Sequence, residues 1–233
     1  VFFPSYSLLE KWRIRSKENG CLLAFERGQI TTVGSVRKIK LFIEEQNSSG
    51  DDFTQTLNAY KAQAEKCSLS EEGDGAVLLA VQRGRASEGA DFRDFAARAV
   101  VVIGVPFPSL STETRMIIAH REAVAGKGAG DLWYEAEAYR QVSQAAGRLI
   151  RHQNDFGALF LIDERYKKPS SILPQWIVQN TSLATSNLFQ KVSCFFKDRQ
   201  ENSPPQNLNL RLPFGRTHGG GNISRISAKE DCA

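Results

Sequence analysis

Ala76-Val-Leu-Leu-Ala-Val81 runs without a break into Gln82-Arg-Gly-Arg-Ala-Ser-Glu-Gly-Ala-Asp-Phe92. Six consecutive apolar residues have the length of a strand and do not alternate. Both faces of that strand are therefore expected to be covered, as in a parallel sheet. The polar stretch then leaves the strand's carboxyl end, the edge at which open α/β sheets bind ligands. Gly84 and Gly89 let the backbone come close to a ligand, and Arg83 and Arg85 supply positive charge. Glu88 and Asp91 either accept from a ribose hydroxyl or orient a neighbouring arginine. An ordinary turn has the same look, so the loop's meaning depends on what else the chain brings to that edge.

Outward from this segment, Ala99–Val105 and Gly157–Ile162 are two more apolar runs expected to be covered on both faces, and Lys40–Glu44 reads as a further strand. Val1–Phe3 is a short β-rich run ended by Pro4. Helices are expected between the strands. One runs from a Ser5 or Ser7 cap to about Lys17, with Ser7 and Glu10 at capping-box spacing. A second, capped by Asp51 or Asp52, buries Phe53, Leu57, Tyr60 and Ala64. Further helices are expected at Thr112–Val124 and Leu132–His152, either side of a glycine-rich loop at Gly126–Gly130, and near Pro174–Gln179 and Ser186–Lys197. Strands alternating with helices imply right-handed crossovers and an α/β fold, a parallel sheet with helices on both faces. From about Gln200 Asn, Pro, Gly and Ser dominate with no periodic apolar face, so 200–233 is expected to be a disordered tail beyond one domain at 1–199.

With 233 residues, 41% of them hydrophobic, the chain can bury one sizeable core. Its net charge of +4 permits nucleic-acid binding without demanding it. Cys21, Cys67, Cys194 and Cys232 form no C-x-x-C pair and have no histidine couple beside them. No metal or iron–sulfur site is expected from this chain, and reduced thiols are the default. No apolar run reaches the ~18 residues of a membrane span, so no membrane partner is expected. The opening Val-Phe-Phe-Pro-Ser-Tyr is neither a signal peptide nor a translation start, and it reads as a strand entered midway in a longer protein.

Gln144-Ala-Ala-Gly-Arg-Leu-Ile-Arg151 supplies the second half of the functional argument. At about 100° per residue, Gln141, Gln144, Arg148 and Arg151 share one stripe of a helix. Two guanidiniums and an amide make a donor clamp suited to a phosphate; the other reading is a solvated basic face. Gly147 inside that helix costs roughly 1 kcal/mol relative to alanine, which suggests close approach by something else. No G-x-x-x-x-G-K-[ST] loop is present to cradle a triphosphate, and no acidic pair at a strand end reads as a magnesium site. Arginines without a cradle fit one lobe of a two-lobed motor, lending charge to a nucleotide held by the other. Among the remaining candidates, Arg165 is expected to pair with Asp163, His152 to be structural, and Trp133 and Tyr134 to pack against the core.

These residues resemble the XPD/FANCJ/RTEL group of superfamily-two DNA helicases. Arg83–Phe92 resembles helicase motif V, Gln144–Arg151 with His152 resembles motif VI, and Val1–Tyr6 looks like motif IV. Arg98–Pro108, Trp133–Tyr134, Asp155–Ala158 and Asp163–Tyr166 match the group in order and spacing, so the resemblance covers Val1 to about Arg199. The Arg98–Pro108 run and the motif IV helix point to the FANCJ/RTEL branch, with a FANCJ-like member ahead. Gln82 stands where the branch usually has cysteine, and Ala90 where it has leucine.

The resemblance implies a RecA-like second motor domain of a 5′-to-3′ ATP-dependent DNA helicase of the DNA-repair type. It implies that Gln144, Arg148 and Arg151 engage the phosphates of ATP with Mg2+ across the lobe interface. Glu88, Gly89 and Asp91 would support the nucleotide and couple it to DNA, while Ser5, Tyr6, Arg83 and Arg85 would touch the DNA backbone. The implied partners are single-stranded or forked DNA, an N-terminal helicase lobe carrying the Walker lysine and an iron–sulfur cluster, and DNA-repair proteins, in the nucleus. The isolated chain would then be inactive. A different class of reading, a non-catalytic nucleic-acid- or partner-binding remnant without ATPase activity, stays open. An unrelated Rossmann-like domain is disfavoured because no G-x-G-x-x-G opens a helix.

Overall fold

The apolar runs become the strands of one parallel sheet, and the stretches between them fold into the helices that cover it. The computed structural model describes residues 1–27, 30–32, 35–37, 39–69, 75–92, 94–152, 155–167, 172–183 and 186–202. In chain order, β1 (Phe2–Phe3) leads to α1 (Tyr6–Glu18), α2 (Cys21–Arg27) and an antiparallel hairpin of β2 (Ile30–Thr32) and β3 (Ser35–Arg37). Next come β4 (Ile39–Ile43), α3 (Gly50–Leu69), β5 (Gly75–Val81) and the short α4 (Arg85–Glu88). β6 (Ala99–Ile103), α5 (Thr112–Ala125), α6 (Ala129–Ala146), β7 (Ala158–Ile162), α7 (Gln175–Asn180) and α8 (Leu188–Asn202) follow.

The sheet order is β4-β5-β1-β6-β7, and every neighbouring pair is parallel. Side chains alternate across it, which divides the core in two. Phe2, Phe42, Leu78, Ala80, Val100 and Val102 pack on one face against Phe53 and Tyr60 of α3, Tyr139 and Val142 of α6, and Ile177 of α7. Phe3, Leu79 and Val81 pack on the other against Leu9 and Trp12 of α1. Each fully buried large apolar side chain contributes about 1.5–3 kcal/mol of transfer free energy. This is the expected RecA-like arrangement, a parallel sheet with helices on both faces.

Local chemistry sets the helix starts. Ser5 caps α1, its Oγ accepting from the Leu8 N–H at 3.2 Å, so the Ser7–Glu10 alternative is not used. Ser49 caps α3 in place of Asp51 or Asp52. Its Oγ accepts from Asp52 N at 3.1 Å while Asp52 Oδ2 accepts from Ser49 N at 3.0 Å, a reciprocal capping box.

Three expectations are corrected. The long helix ends at Ala146 instead of continuing to His152, with Gly147 as its C-cap. The chain must turn there to return to β7, and three-residue hydrogen bonds from Arg148 N to Ala145 O and Leu149 N to Ala146 O close the last turn. β7 lies at the sheet edge with Ile162 55% exposed, so it is not covered on both faces. α8 continues through Asn202, three residues into the stretch expected to be disordered, because Gln200 and Glu201 are good helix formers. The remainder of that stretch, 203–233, lies outside the described residues.

Candidate functional site

The carboxyl ends of β1, β4 and β5 lie side by side, and each delivers a polar residue to the same edge. β5 hands the chain to Gln82, whose N–H donates to Phe3 O at 2.8 Å. Arg83 then adopts φ 65°, a left-handed conformation unusual for a residue with a side chain. Gly84 closes the turn, donating to Val81 O at 2.9 Å, and precedes α4. A β-carbon at Gly84 would sit 2.5 Å from Glu44 Oε1 and 2.8 Å from Val81 O, so the turn requires glycine. Gly84→Ala is expected to cost about 1–3 kcal/mol through forced displacement. Thermal unfolding followed by circular dichroism should show a midpoint lower by roughly 3–10 °C.

The two arginines of the second segment meet this loop from beyond the end of α6. Arg148 donates from Nε to Ser87 O at 3.0 Å and from Nη1 to Ala90 O at 2.9 Å, and its Nη2 also donates to Ser87 O. Arg151 Nη2 lies 3.3 Å from Asp91 Oδ1 and donates to Ala90 O at 3.4 Å. Burial, and then the charge of Arg151, push the Arg148 guanidinium below its ordinary pKa, with Asp91 acting in the opposite sense. Arg151 thus has Asp91 as its counter-charge while Arg148 is held by backbone carbonyls, which leaves positive charge in excess at this place. Such a place favours an incoming anion.

The predicted helical stripe does not form. Gln141 is 94% buried with its Oε1 unpartnered, Gln144 is exposed on the last turn of α6, and both arginines lie past the helix end. The structure therefore joins Arg148, Arg151 and Asp91 through the loop's geometry and not through helical periodicity. Glu88 and Gly89 line a separate shallow groove of about 460 Å3 with Phe53, Thr54, Leu57, Arg85 and Ala90.

The residues expected to touch DNA are spread along the same edge. Ser5 is exposed at the start of α1, and Tyr6 beside it donates its hydroxyl to Glu44 Oε1 at 3.0 Å. Arg83 Nη2 donates to Glu137 O on α6 at 3.4 Å. Arg85 Nη1 donates to Ser49 O at 2.7 Å and Ser48 Oγ at 3.2 Å. Arg165 forms the expected pair with Asp163, Nε and Nη2 each 2.7 Å from a carboxylate oxygen. Tyr134 packs on Phe107 and donates to Pro108 O at 2.7 Å.

Sequence reasoning missed two carboxylates. Glu44 is 98% buried at the end of β4, accepting from Tyr6, Arg85 N and Val81 N. Asp155, its side chain 1% exposed, pairs with Arg98 Nη1 at 2.9 Å and accepts from Arg151 N at 3.1 Å. An acid closing an apolar strand run was the available signal for Glu44. For Asp155 the signal was its place in the Asp155–Ala158 segment, which matches the resemblance but was assigned no role.

Residues 1–180 match the family model of the helicase C-terminal domain. The chain belongs to that family. The Culex quinquefasciatus protein named Regulator of telomere elongation helicase 1 homolog is 35% identical over 228 residues, covering 92% of this chain and 22% of its own length. The Bos taurus Regulator of telomere elongation helicase 1 is 34% identical over 241 residues, covering 96% of this chain and 18% of its own. The chain thus spans about a fifth of the length of these curated relatives. A solved structure described as XPD_APO aligns over 72% of this chain and 28% of its own, with 20% identity and a TM-score of 0.47. The relatives carry the telomere-elongation name, and the expectation that put a FANCJ-like member ahead draws no support from them.

Proposed function

We propose that this domain is the C-terminal motor lobe of an ATP-dependent 5′-to-3′ DNA helicase of the DNA-repair type, acting in the nucleus. The observation that carries the reading is that Arg148 and Arg151 converge on the Ser87–Asp91 segment after β5, Arg148 on the carbonyls of Ser87 and Ala90 and Arg151 on the Asp91 carboxylate. An anion arriving there meets two forked donors and an unbalanced positive charge. The triphosphate would be held chiefly by an N-terminal lobe, because this sequence carries no Walker loop.

The residues fit a nucleotide phosphate, since the two guanidiniums offer forked donors to its oxygens. Among the described residues no group of three or more His, Cys, Asp or Glu side chains could hold a metal ion. Magnesium bound with the nucleotide would neutralise charge on the transferring phosphoryl group, and any iron–sulfur cluster would belong to the N-terminal lobe. This chain's part is to bind and orient. Arg148 and Arg151 exchange carbonyl and Asp91 contacts for phosphate oxygens, with exposed Gln144 one turn away to add a further donor. That exchange loosens the brace on the Ser87–Asp91 loop, whose other end carries Arg83 and Arg85. Glu88, Gly89 and Asp91 thereby couple nucleotide state to the single-stranded or forked DNA met by Ser5, Tyr6, Arg83 and Arg85.

The full-length protein is expected to hydrolyse ATP several-fold faster or more when single-stranded DNA is added, read as phosphate release. DNA binding without any ATP hydrolysis would reject the motor and favour the non-catalytic remnant. Single-stranded binding by the 233-residue chain should weaken steeply with salt, since the contacts proposed for Arg83 and Arg85 release counterions.

A further inference from the structure

Glu44 is an acidic group buried behind a surface proposed to meet an anion, and that placement needs a reason. Its Oε1 accepts from Arg85 N at 2.8 Å and from the Tyr6 hydroxyl at 3.0 Å, while Oε2 accepts from Val81 N at 3.2 Å. These donors belong to three parts of the chain: the start of α1 after β1, the end of β5, and the first residue of α4. Gly84 presses so close to Oε1 that a side chain there would collide with it. Tyr6 and Arg85, which lie far apart in sequence, are thereby tied to one carboxylate. Arg85 reaches back over the same strand end, to Ser48 and Ser49.

We propose that Glu44 is a positioning residue that locks Tyr6 and the Gly84–Arg85 turn into one unit for binding single-stranded DNA. The proposal rests on the DNA reading of Tyr6 and Arg85 given above. With its proton directed at Glu44, the half-buried Tyr6 phenol keeps an oxygen lone pair to accept with, and the part of its ring not packed on the Phe3–Leu9 cluster lines a groove. The phenol meets a base or sugar, and Arg83 and Arg85 meet the phosphates. The sign of the effect separates positioning from simple charge. Deleting a negative charge beside a DNA-binding surface should tighten binding if only electrostatics mattered. Loss of positioning weakens it.

The test uses the 233-residue chain and a fluorescein-labelled oligo(dT), with affinity read by anisotropy at fixed salt. Glu44→Gln offers one acceptor oxygen where the carboxylate offers two, so at least one of its three donors loses its partner. Affinity is expected to fall roughly three- to tenfold, the worth of about one hydrogen bond. Tyr6→Phe and Arg85→Ala also weaken binding, and Glu44→Gln with Tyr6→Phe together bind no more weakly than Glu44→Gln alone. Unchanged or tighter binding by Glu44→Gln, or losses that multiply in the double variant, overturns the proposal. If Tyr6→Phe and Arg85→Ala bind like the wild type, the DNA reading itself fails. The tie is then judged on the Tyr6 phenol alone, which burial and Glu44 push up to about 12. Burial persists in Glu44→Gln, so there the phenol should still ionise above the ordinary tyrosine range but at lower pH than in the wild type, read as tyrosinate absorbance against Tyr6→Phe; coincident titrations overturn the tie. Should Glu44→Gln not fold by circular dichroism, Glu44→Asp, shorter by one methylene, is read against the same outcomes.

Discussion

Arg151→Ala and Arg148→Ala in the full-length protein should each lower DNA-stimulated ATP turnover by about a thousandfold, the usual effect of removing an arginine finger. That corresponds to about 4 kcal/mol of transition-state stabilisation. The size follows from what a guanidinium does beside a phosphoryl group in flight. It supplies two parallel charged donors to oxygens whose negative charge is spreading. Affinity for an oligonucleotide should stay within about threefold, because neither arginine is among the side chains proposed to touch DNA. Lysine at either position keeps the charge and loses the fork, so recovery should be partial at best.

The two variants should differ in stability. Arg148 donates to both Ser87 O and Ala90 O, so its removal strips the loop of its brace and lowers the unfolding midpoint. Arg151 holds Asp91 from a more exposed position, and its loss should barely move the midpoint. Turnover retained within about tenfold of wild type in both variants would reject the phosphate assignment.

Asp155→Ala should be the most destabilising single change outside the apolar core. The carboxylate is buried and takes a charged bond from Arg98 Nη1 and a backbone bond from Arg151 N. Arg98 is held there by Phe156 O at 2.9 Å and by the Phe156 ring, 4.3 Å from its guanidinium carbon. Truncating Asp155 leaves that guanidinium partly buried and without its counter-charge. Removing one partner of such a pair costs on the order of 3 kcal/mol. For a domain of this size the thermal midpoint should fall by roughly 6–12 °C. Turnover should fall as well, since the Arg151 backbone loses the anchor that aims it at Asp91. A midpoint within 2 °C of wild type, an order-of-magnitude threshold set by the usual scatter of surface substitutions, would show that solvent screens the pair.

The strands and helices were legible wherever the pattern was long enough to repeat. Ala76–Val81 and Ala99–Val105 became β5 and β6, and Phe53 and Tyr60 became the buried face of α3, because uninterrupted or periodic apolar residues have one economical way to leave water. The β2–β3 hairpin and α2 were not legible, since three-residue strands and a seven-residue helix carry too little periodicity to stand out. The end of α6 was misread for a related reason. Gly147 keeps right-handed helical angles even as the C-cap, so its residue type did not mark the end, and only the need to turn back towards β7 decides it.

The functional residues divide along the same line. Residue types and their spacing determined that arginines, glycines and acids would follow the strand ends, and hence which chemistry was available. Tertiary structure alone decided that β1, two residues long, lies at the centre of the sheet between β5 and β6. That crossover order sets Tyr6, Glu44 and Arg85 beside one another and turns Arg148 onto Ser87 and Ala90. Local sequence encodes what each segment prefers, whereas which strand lies next to which depends on burying both faces of the sheet at once, a property of the whole chain.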